Sequence, residues 1–188
     1  MKIRRKIIVL VYPFMMKILK LTGMNRRIYK NENNVSPSES FYSLKGVLNN
    51  GEEISFEQFK NKKILIVNLA SECAFTPQYA ALENLYQSNE SLVILGFPSN
   101  NFGKQEPSGD EEIMNFCSEK YGVTFPVFKK NDVKGNSKQR VYQWLTDKNK
   151  NGWNNIEPQW NFYKYLIDEN GNLSKIFSSS VSPVEINF

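Results

Sequence analysis

Two short apolar runs constrain the fold of this 188-residue chain more than any other feature. Ile64–Leu69 reads ILIVNL and Leu92–Phe97 reads LVILGF. Runs of six residues rich in Ile, Leu and Val are of buried-strand type. Between them, Thr76 and Pro77 open a helix, with proline in the first turn, where its missing N–H costs nothing. Tyr79, Leu82, Leu85 and Tyr86 give that helix its apolar stripe. Ser108 and Glu111 are spaced as a capping box, and Ile113, Phe116, Cys117 and Tyr121 line one face of the helix they would start. Ser137–Lys148 reads as a third helix, with Val141, Trp144 and Leu145 facing inward. Two hairpins flank this set. Phe41–Leu48 and Glu52–Phe56 surround Asn50-Gly51, and Trp160–Asp168 and Asn172–Ser178 surround Asn170-Gly171. Asn-Gly is a strong turn signal because both residues tolerate positive φ. Strand, helix, strand, helix and a terminal hairpin predict an α/β fold, a central mixed β-sheet flanked by helices, with a hairpin at its N-terminal side.

Composition then removes whole classes of chemistry. The chain has no histidine, which excludes His-dependent triads, imidazole general bases and His-ligated metal sites. Two cysteines are too few for a disulfide scaffold or a four-thiolate zinc site, yet enough for one redox pair. No cofactor or metal is called for. The net charge of +5 is unevenly placed. Residues 1–30 hold nine of the 24 basic residues and none of the 19 acidic ones, so the remainder nets −4. Nucleic-acid binding is therefore not expected of the folded part.

The N-terminal arm, residues 1–30, begins with the basic stretch Met1–Lys6 and continues into the apolar run Ile7–Met16. Lys17 interrupts the run before Ile18, Leu19 and Leu21. Ten apolar residues suit a signal-peptide core better than a spanning helix of about 20 residues. No small-x-small cleavage site follows cleanly, and Pro13 would kink a helix. Three readings stand: a membrane-associated anchor through residues 7–21, a cleaved export signal, or an arm with no membrane role in a cytoplasmic protein. Residues 31–40, NENNVSPSES, read as a polar linker into a domain spanning 41–188.

Cys73 is the sharpest single residue. It follows an apolar strand and precedes a helix start, at the carboxyl edge of a sheet where open α/β folds place ligands. Backbone N–H groups and a helix dipole there favour a thiolate, the reactive form of cysteine. The bland alternative is a small buried hydrophobe, and position alone weighs the two equally.

Four blocks decide the matter: NLASECAFTPQY at 68–79, GFPSNNFGKQEP at 96–107, FCSEKYGVTFP at 116–126 and WNF at 160–162. In this order and spacing they resemble the glutathione peroxidase family, over roughly Ser40 to Pro183. The resemblance implies a thioredoxin-like fold and reduction of hydrogen peroxide and organic or lipid hydroperoxides. It places Cys73 at the peroxidatic position, Gln105 at the active-site glutamine, and Trp160 and Asn161 at the family's tryptophan and asparagine. Neutral donors of this kind suit a thiolate attacking an O–O bond, because they hold the anion and the leaving oxygen without histidine. Cys117 falls where non-selenium members carry a resolving cysteine. The implied cycle oxidises Cys73 to a sulfenic acid, condenses it with Cys117, and reduces the disulfide with a thioredoxin-type dithiol. Glutathione is the alternative donor. A peroxide sensor or redox relay with low turnover is the alternative role, and the same residues would serve it. The stretch between Leu145 and Trp160 lacks the longer segment that tetrameric members of the family use for association, so the resemblance implies a monomer and a site open to larger lipid hydroperoxides.

Several positions depart from the family pattern. Ser99 replaces a frequent cysteine, Asn101 a glutamine, and Ala74 the glycine after the active cysteine. If position 74 needs positive φ, alanine would be strained there. The C-terminal helix of the family is reduced to Val184–Phe188, which would leave apolar surface exposed.

Overall fold

The computed structural model describes residues 26–188. The apolar run of the arm lies outside the described residues. Five strands form one sheet in the order β1-β7-β6-β4-β5. They are β1 (Ile28–Lys30), β4 (Lys63–Leu69), β5 (Leu92–Pro98), β6 (Lys164–Ile167) and β7 (Leu173–Phe177). β4 and β5 are parallel, and the other pairs are antiparallel, so the sheet is mixed as the sequence predicts. A separate hairpin pairs β2 (Lys45–Val47) with β3 (Glu53–Ser55). The helices are α1 (Gln78–Gln87), α2 (Asp110–Tyr121), α3 (Arg140–Leu145) and α4 (Lys148–Asn151). Among the described residues, no helix is long and apolar enough to cross a membrane.

The period of two in a strand divides the core. Ile64 and Ile66 of β4 join Val93, Leu95 and Phe97 of β5 on one face, packed with Phe41, Phe56, Phe128, Tyr142 and Trp144. Leu65, Val67 and Leu69 join Ile94 on the other face, packed with Tyr79 and Leu82 of α1 and Ile113 and Cys117 of α2. Gly96 lets that second layer close. A Cβ there would stand 2.4 Å from Leu69 Cδ1, inside van der Waals contact. Cys73 and Cys117 therefore sit in the same hydrophobic layer, on one side of the sheet.

Local structure differs from the sequence reading in five places, one being the strand read over Trp160–Asp168, which spans only Lys164–Ile167. Phe41–Ser43 and Phe56–Phe59 are 3-10 turns rather than strand, so the first hairpin is shorter than its apolar pattern. The cap of α2 lies one residue later than Ser108. Gly109 is the N-cap, and its N–H donates to Glu112 Oε2 at 2.8 Å. The third helix is two helices, α3 and α4, because Asp147 caps α4 with its side chain on the Asn149 N–H. Ile28–Lys30, grouped with the arm on charge, pairs with Lys175–Phe177 of β7 as an edge strand.

The segment 31–40 is laid along the domain and tied to it. Asn31 N–H donates to Ser174 O, Trp144 Nε1 donates to Glu39 O, and the Glu39 carboxylate bridges Arg140 and Lys150. Its polar residues serve as partners for backbone and side chains of the domain. The C-terminal residues are partly sealed: Ile186 is buried in the second layer, whereas Val184 is 77% exposed.

Candidate active site

Cys73 lies in the turn between β4 and α1, and 7% of it is exposed. Thr76 builds that turn. Its hydroxyl donates to Ala70 O at 2.8 Å and accepts from Cys73 N–H at 3.0 Å, and its own N–H donates to Cys73 O. The Phe75 N–H donates to Cys73 Sγ at 3.4 Å. One backbone donor is thus already aimed at the sulfur, the arrangement that stabilises a thiolate. Ala74 is not among the described non-glycine residues with positive φ, so alanine is unstrained after the cysteine.

The loop after β5 comes back to this turn. Gly103 and Lys104 take φ of 61° and 55° in succession, and this left-handed step turns the chain at Gln105. Gln105 O then accepts from the Glu72 N–H at 3.0 Å. Its side-chain oxygen accepts from Asn161 Nδ2 at 2.9 Å. The Trp160 ring lies 6.0 Å from the Phe102 ring, against the same loop. Cys73, Gln105, Trp160 and Asn161 thus converge from three separate stretches of chain. Asn161 is fully buried, and its Oδ1 has no hydrogen-bond partner. Ser99 and Asn101 brace the loop from behind. Ser99 Oγ donates to Asn101 Oδ1, which also accepts from Val133 N–H, while Asn101 Nδ2 donates to Asp132.

Three residues that sequence reasoning missed hold these side chains in place. Asn68, the one polar residue of the ILIVNL run, is fully buried. Its Nδ2 donates to Trp160 O, its Oδ1 accepts from Tyr163 N–H, and its carbonyl accepts from Phe162 N–H at 2.7 Å. An amide inside an apolar strand was the available signal. Lys164 is fully buried, and its Nζ donates to Phe162 O and Val181 O at 2.9 and 2.8 Å. Phe162 needs such support because its φ is 62°, a costly value for a non-glycine residue. Burial pushes the Lys164 amine down to about 7, against the pull of Glu185. A neutral amine has two N–H groups, which matches its two carbonyl partners. Glu106 is fully buried beside Gln105. Burial raises its carboxyl above the usual range, and Ser71 Oγ donates to its Oε1 at 2.8 Å, while Oε2 has no partner.

Cys117 is 2% exposed on the inner face of α2. The structure holds both cysteines as thiols rather than as a disulfide. Burial pushes the Cys117 thiol up to about 11, with the Tyr79 hydroxyl opposing and Glu106 adding to the rise. Tyr79 makes no hydrogen bond of ordinary geometry through that hydroxyl. Behind Cys117 lies a cavity of about 210 Å³, lined by Leu48, Met114, Val123 and Phe125 among others. Among the described residues, no group of three or more His, Cys, Asp or Glu is placed to hold a metal ion.

The family model described as Glutathione peroxidase matches residues 41–146. The chain belongs to the glutathione peroxidase family. It is 49% identical over 148 residues to glutathione peroxidase-like peroxiredoxin 2 of Saccharomyces cerevisiae, covering 77% of this chain and 90% of that protein. It is 46% identical over 150 residues to the glutathione peroxidase homolog BsaA of Staphylococcus epidermidis, covering 79% and 94%. Among solved structures, the apo form of Trgpx superposes with a TM-score of 0.63 at 35% identity, over 79% of this chain and 91% of that one. A thioredoxin-family thiol:disulfide interchange protein from Chlorobium tepidum shares the fold at 17% identity, with a TM-score of 0.55 over 81% and 91%. The fold is thioredoxin-like, as the sequence blocks implied, and this glutathione peroxidase family member is an oxidoreductase acting on peroxides.

Proposed function

We propose that the protein reduces hydroperoxides with Cys73 as the attacking thiolate and Cys117 as the resolving thiol, and that a thioredoxin-type dithiol regenerates it. The observation that carries this reading is the convergence of Cys73, Gln105, Trp160 and Asn161 in one loop cluster, with Cys117 in the same hydrophobic layer. The Cys73 thiolate attacks one peroxide oxygen and the O–O bond breaks. Alcohol or water leaves, and the sulfur becomes a sulfenic acid. In this reading the amides of Gln105 and Asn161 donate to the sulfur and to the departing oxygen. The Cys117 thiol then displaces the sulfenic hydroxyl as water, forming the disulfide that a dithiol opens by exchange.

Resolution needs movement. A disulfide requires Cα atoms within about 7 Å, and Cys117 is packed on a helix face with a thiol too basic to ionise near neutrality. Unwinding of α2 would expose the thiol, return it to its ordinary acidity and let it reach Cys73. The cavity beside Cys117 is partly open at the surface, where Met114 and Ser118 of α2 also line it, so solvent can reach that side of the helix as it opens. The same buried thiol supports a second reading. If α2 opens slowly, the sulfenic acid of Cys73 outlives the peroxide and passes oxidation to a partner, as in a relay.

The further proposals are that the protein is a monomer and that its arm associates with a membrane surface through residues 7–21. The enzymatic reading is tested by peroxide-dependent NADPH oxidation with thioredoxin and thioredoxin reductase. Cys73→Ser should abolish turnover with any donor. Cys117→Ser should lose thioredoxin-driven turnover while still forming one equivalent of sulfenic acid. An inactive wild type with an intact sulfenic acid burst would favour the relay.

A further inference from the structure

The strand register fixes where the arm meets the domain. Ile28 of β1 pairs with Phe177 of β7, Phe177 with Lys164 of β6, Lys164 with Val67 of β4, and Val67 with Gly96 of β5. These five residues form one row across the sheet. Val67 is two residues before the end of β4, where the chain turns out toward Cys73. Lys164 opens β6, one residue beyond Trp160, Asn161 and Phe162. The row therefore lies directly under the catalytic loops. β1 is antiparallel to β7, so residues preceding Ile28 run toward the end of the sheet that carries Cys73.

Side chains and backbone tie this entry point to the site. Ser178 N–H donates to Arg27 O and Arg27 N–H donates to Ser178 Oγ, each at 2.9 Å. Arg26 pairs with Glu185 at 3.1 Å. The segment so held, residues 178–185, also supplies Val181 O to Lys164 Nζ and Ser179 O to Gln78 of α1. Val184 on that segment is the most exposed large hydrophobic residue among those described. Lys104 and Lys134 stand exposed around the same loops, with Lys134 Nζ 5.9 Å from the Phe102 ring. Glu72 is the exposed acidic residue beside Cys73.

We propose that the catalytic end of the sheet is the face this protein turns toward an anionic lipid bilayer, with residues 1–25 as the tether and Val184 at the contact. Residues 1–25 hold six basic residues, no acidic ones, and a ten-residue apolar run. That is the chemistry of insertion at an anionic membrane interface. Residues 26–188 hold 18 basic and 19 acidic residues, net −1, and contribute little attraction of their own. Attraction is thus concentrated at one end of the molecule, and the register makes that end the one with Cys73. Hydroperoxides carried on acyl chains in the bilayer would then meet the thiol at the surface. This use of the orientation rests on the peroxidase reading; the orientation itself does not.

The test uses the full chain and vesicles of phosphatidylcholine with or without phosphatidylglycerol. An environment-sensitive fluorophore is attached through Val184→Cys or through Asn170→Cys, each in a Cys73→Ser/Cys117→Ser background. Asn170 is exposed in the β6–β7 turn, at the opposite end of the sheet. The expected result is a blue shift and rise in emission at position 184 on phosphatidylglycerol vesicles and no change at 170. Equal changes at both, a larger change at 170, or failure to float with these vesicles would overturn the proposal. A second arm separates the two readings. Arg4→Glu, Arg5→Glu and Lys6→Glu together should weaken vesicle binding by about a hundredfold or more, at about 1 kcal/mol per charge, cut turnover on vesicle-embedded phospholipid hydroperoxide accordingly at sub-saturating lipid, and leave turnover on soluble tert-butyl hydroperoxide unchanged. Equal turnover on both substrates would count against the tether. Absence of turnover on the soluble peroxide in the unaltered chain would instead overturn the peroxidase reading and leave the fluorophore result standing.

Discussion

Lys164 shows how much a single buried group can reveal about a site. Its folded-state amine titrates near 7, while an unfolded lysine holds its proton to about 10.5. Between these values the unfolded chain binds more protons than the folded one, so this residue makes stability rise with pH from 7 to 10.5 and contributes no slope below 7. Urea unfolding of the wild type should therefore move to higher midpoints between pH 7 and pH 9.5. In Lys164→Met that rise should flatten, and the midpoint at pH 9.5 should fall because Phe162 O and Val181 O lose their donor. An unchanged slope in the variant would remove the neutral amine from the account. Residues of this kind were only half legible in the sequence. Cys73, Gln105, Trp160 and Asn161 stand out because four sequence blocks carry them together, and the structure brings Gln105 against Asn161 and beside Glu72. Asn68, Glu106 and Lys164 could not, since a polar residue in an apolar run does not announce which distant backbone groups it will satisfy. The condition for strain at Ala74, a positive φ, is not met: the left-handed positions near the site are Gly103, Lys104 and Phe162, and φ follows from tertiary partners as well as from residue type.

Among the elements, α2 carries the greatest demand, because it is packed in one state and must release Cys117 in the other. The loop after it is anchored independently. The Glu83 carboxylate of α1 accepts from Thr124 N–H at 2.8 Å, Thr124 Oγ1 at 2.6 Å and Gln87 Nε2 at 2.8 Å. Burial opposes the charge, yet these hydrogen bonds hold the carboxyl below its ordinary range. α2 can thus open while its downstream end stays fixed. Hydrogen exchange should show amide protection lost across Asp110–Tyr121 on oxidation of Cys73 and Cys117, with protection at Thr124 and Phe125 retained; protection retained throughout α2 during turnover would refute the opening. Glu83→Gln should cost about 2 kcal/mol in chemical unfolding at neutral pH, the scale of charge-assisted bonds to a buried carboxylate, and less as pH falls below 4.5, where the unfolded chain takes up a proton that the folded carboxyl still refuses. Strands β4 and β5 were the clearest elements in the sequence because their runs are almost wholly apolar. The split between α3 and α4 was hidden, because it depends on the Asp147 cap rather than on a break in the apolar pattern.

At the scale of the whole molecule, the sequence revealed a charged arm and an oppositely charged domain, but the register was needed to learn at which end they join. Three residues, Ile28–Lys30, make that join and carry no pattern long enough to read as a strand. The chain is expected to sediment as a monomer of 21.8 kDa at low concentration in detergent that masks the arm; a stable dimer there would overturn the proposed monomer. β1 has a second effect, on how far the chain can be trimmed. It covers the outer edge of β7, whose backbone groups would otherwise face solvent as a template for another strand. Proteolysis before Arg26 would leave that cover in place. A cut after Lys30 would strip it and expose Leu173–Phe177 to pairing with a second copy, so a processed form of this protein has a lower size limit set by aggregation rather than by chemistry.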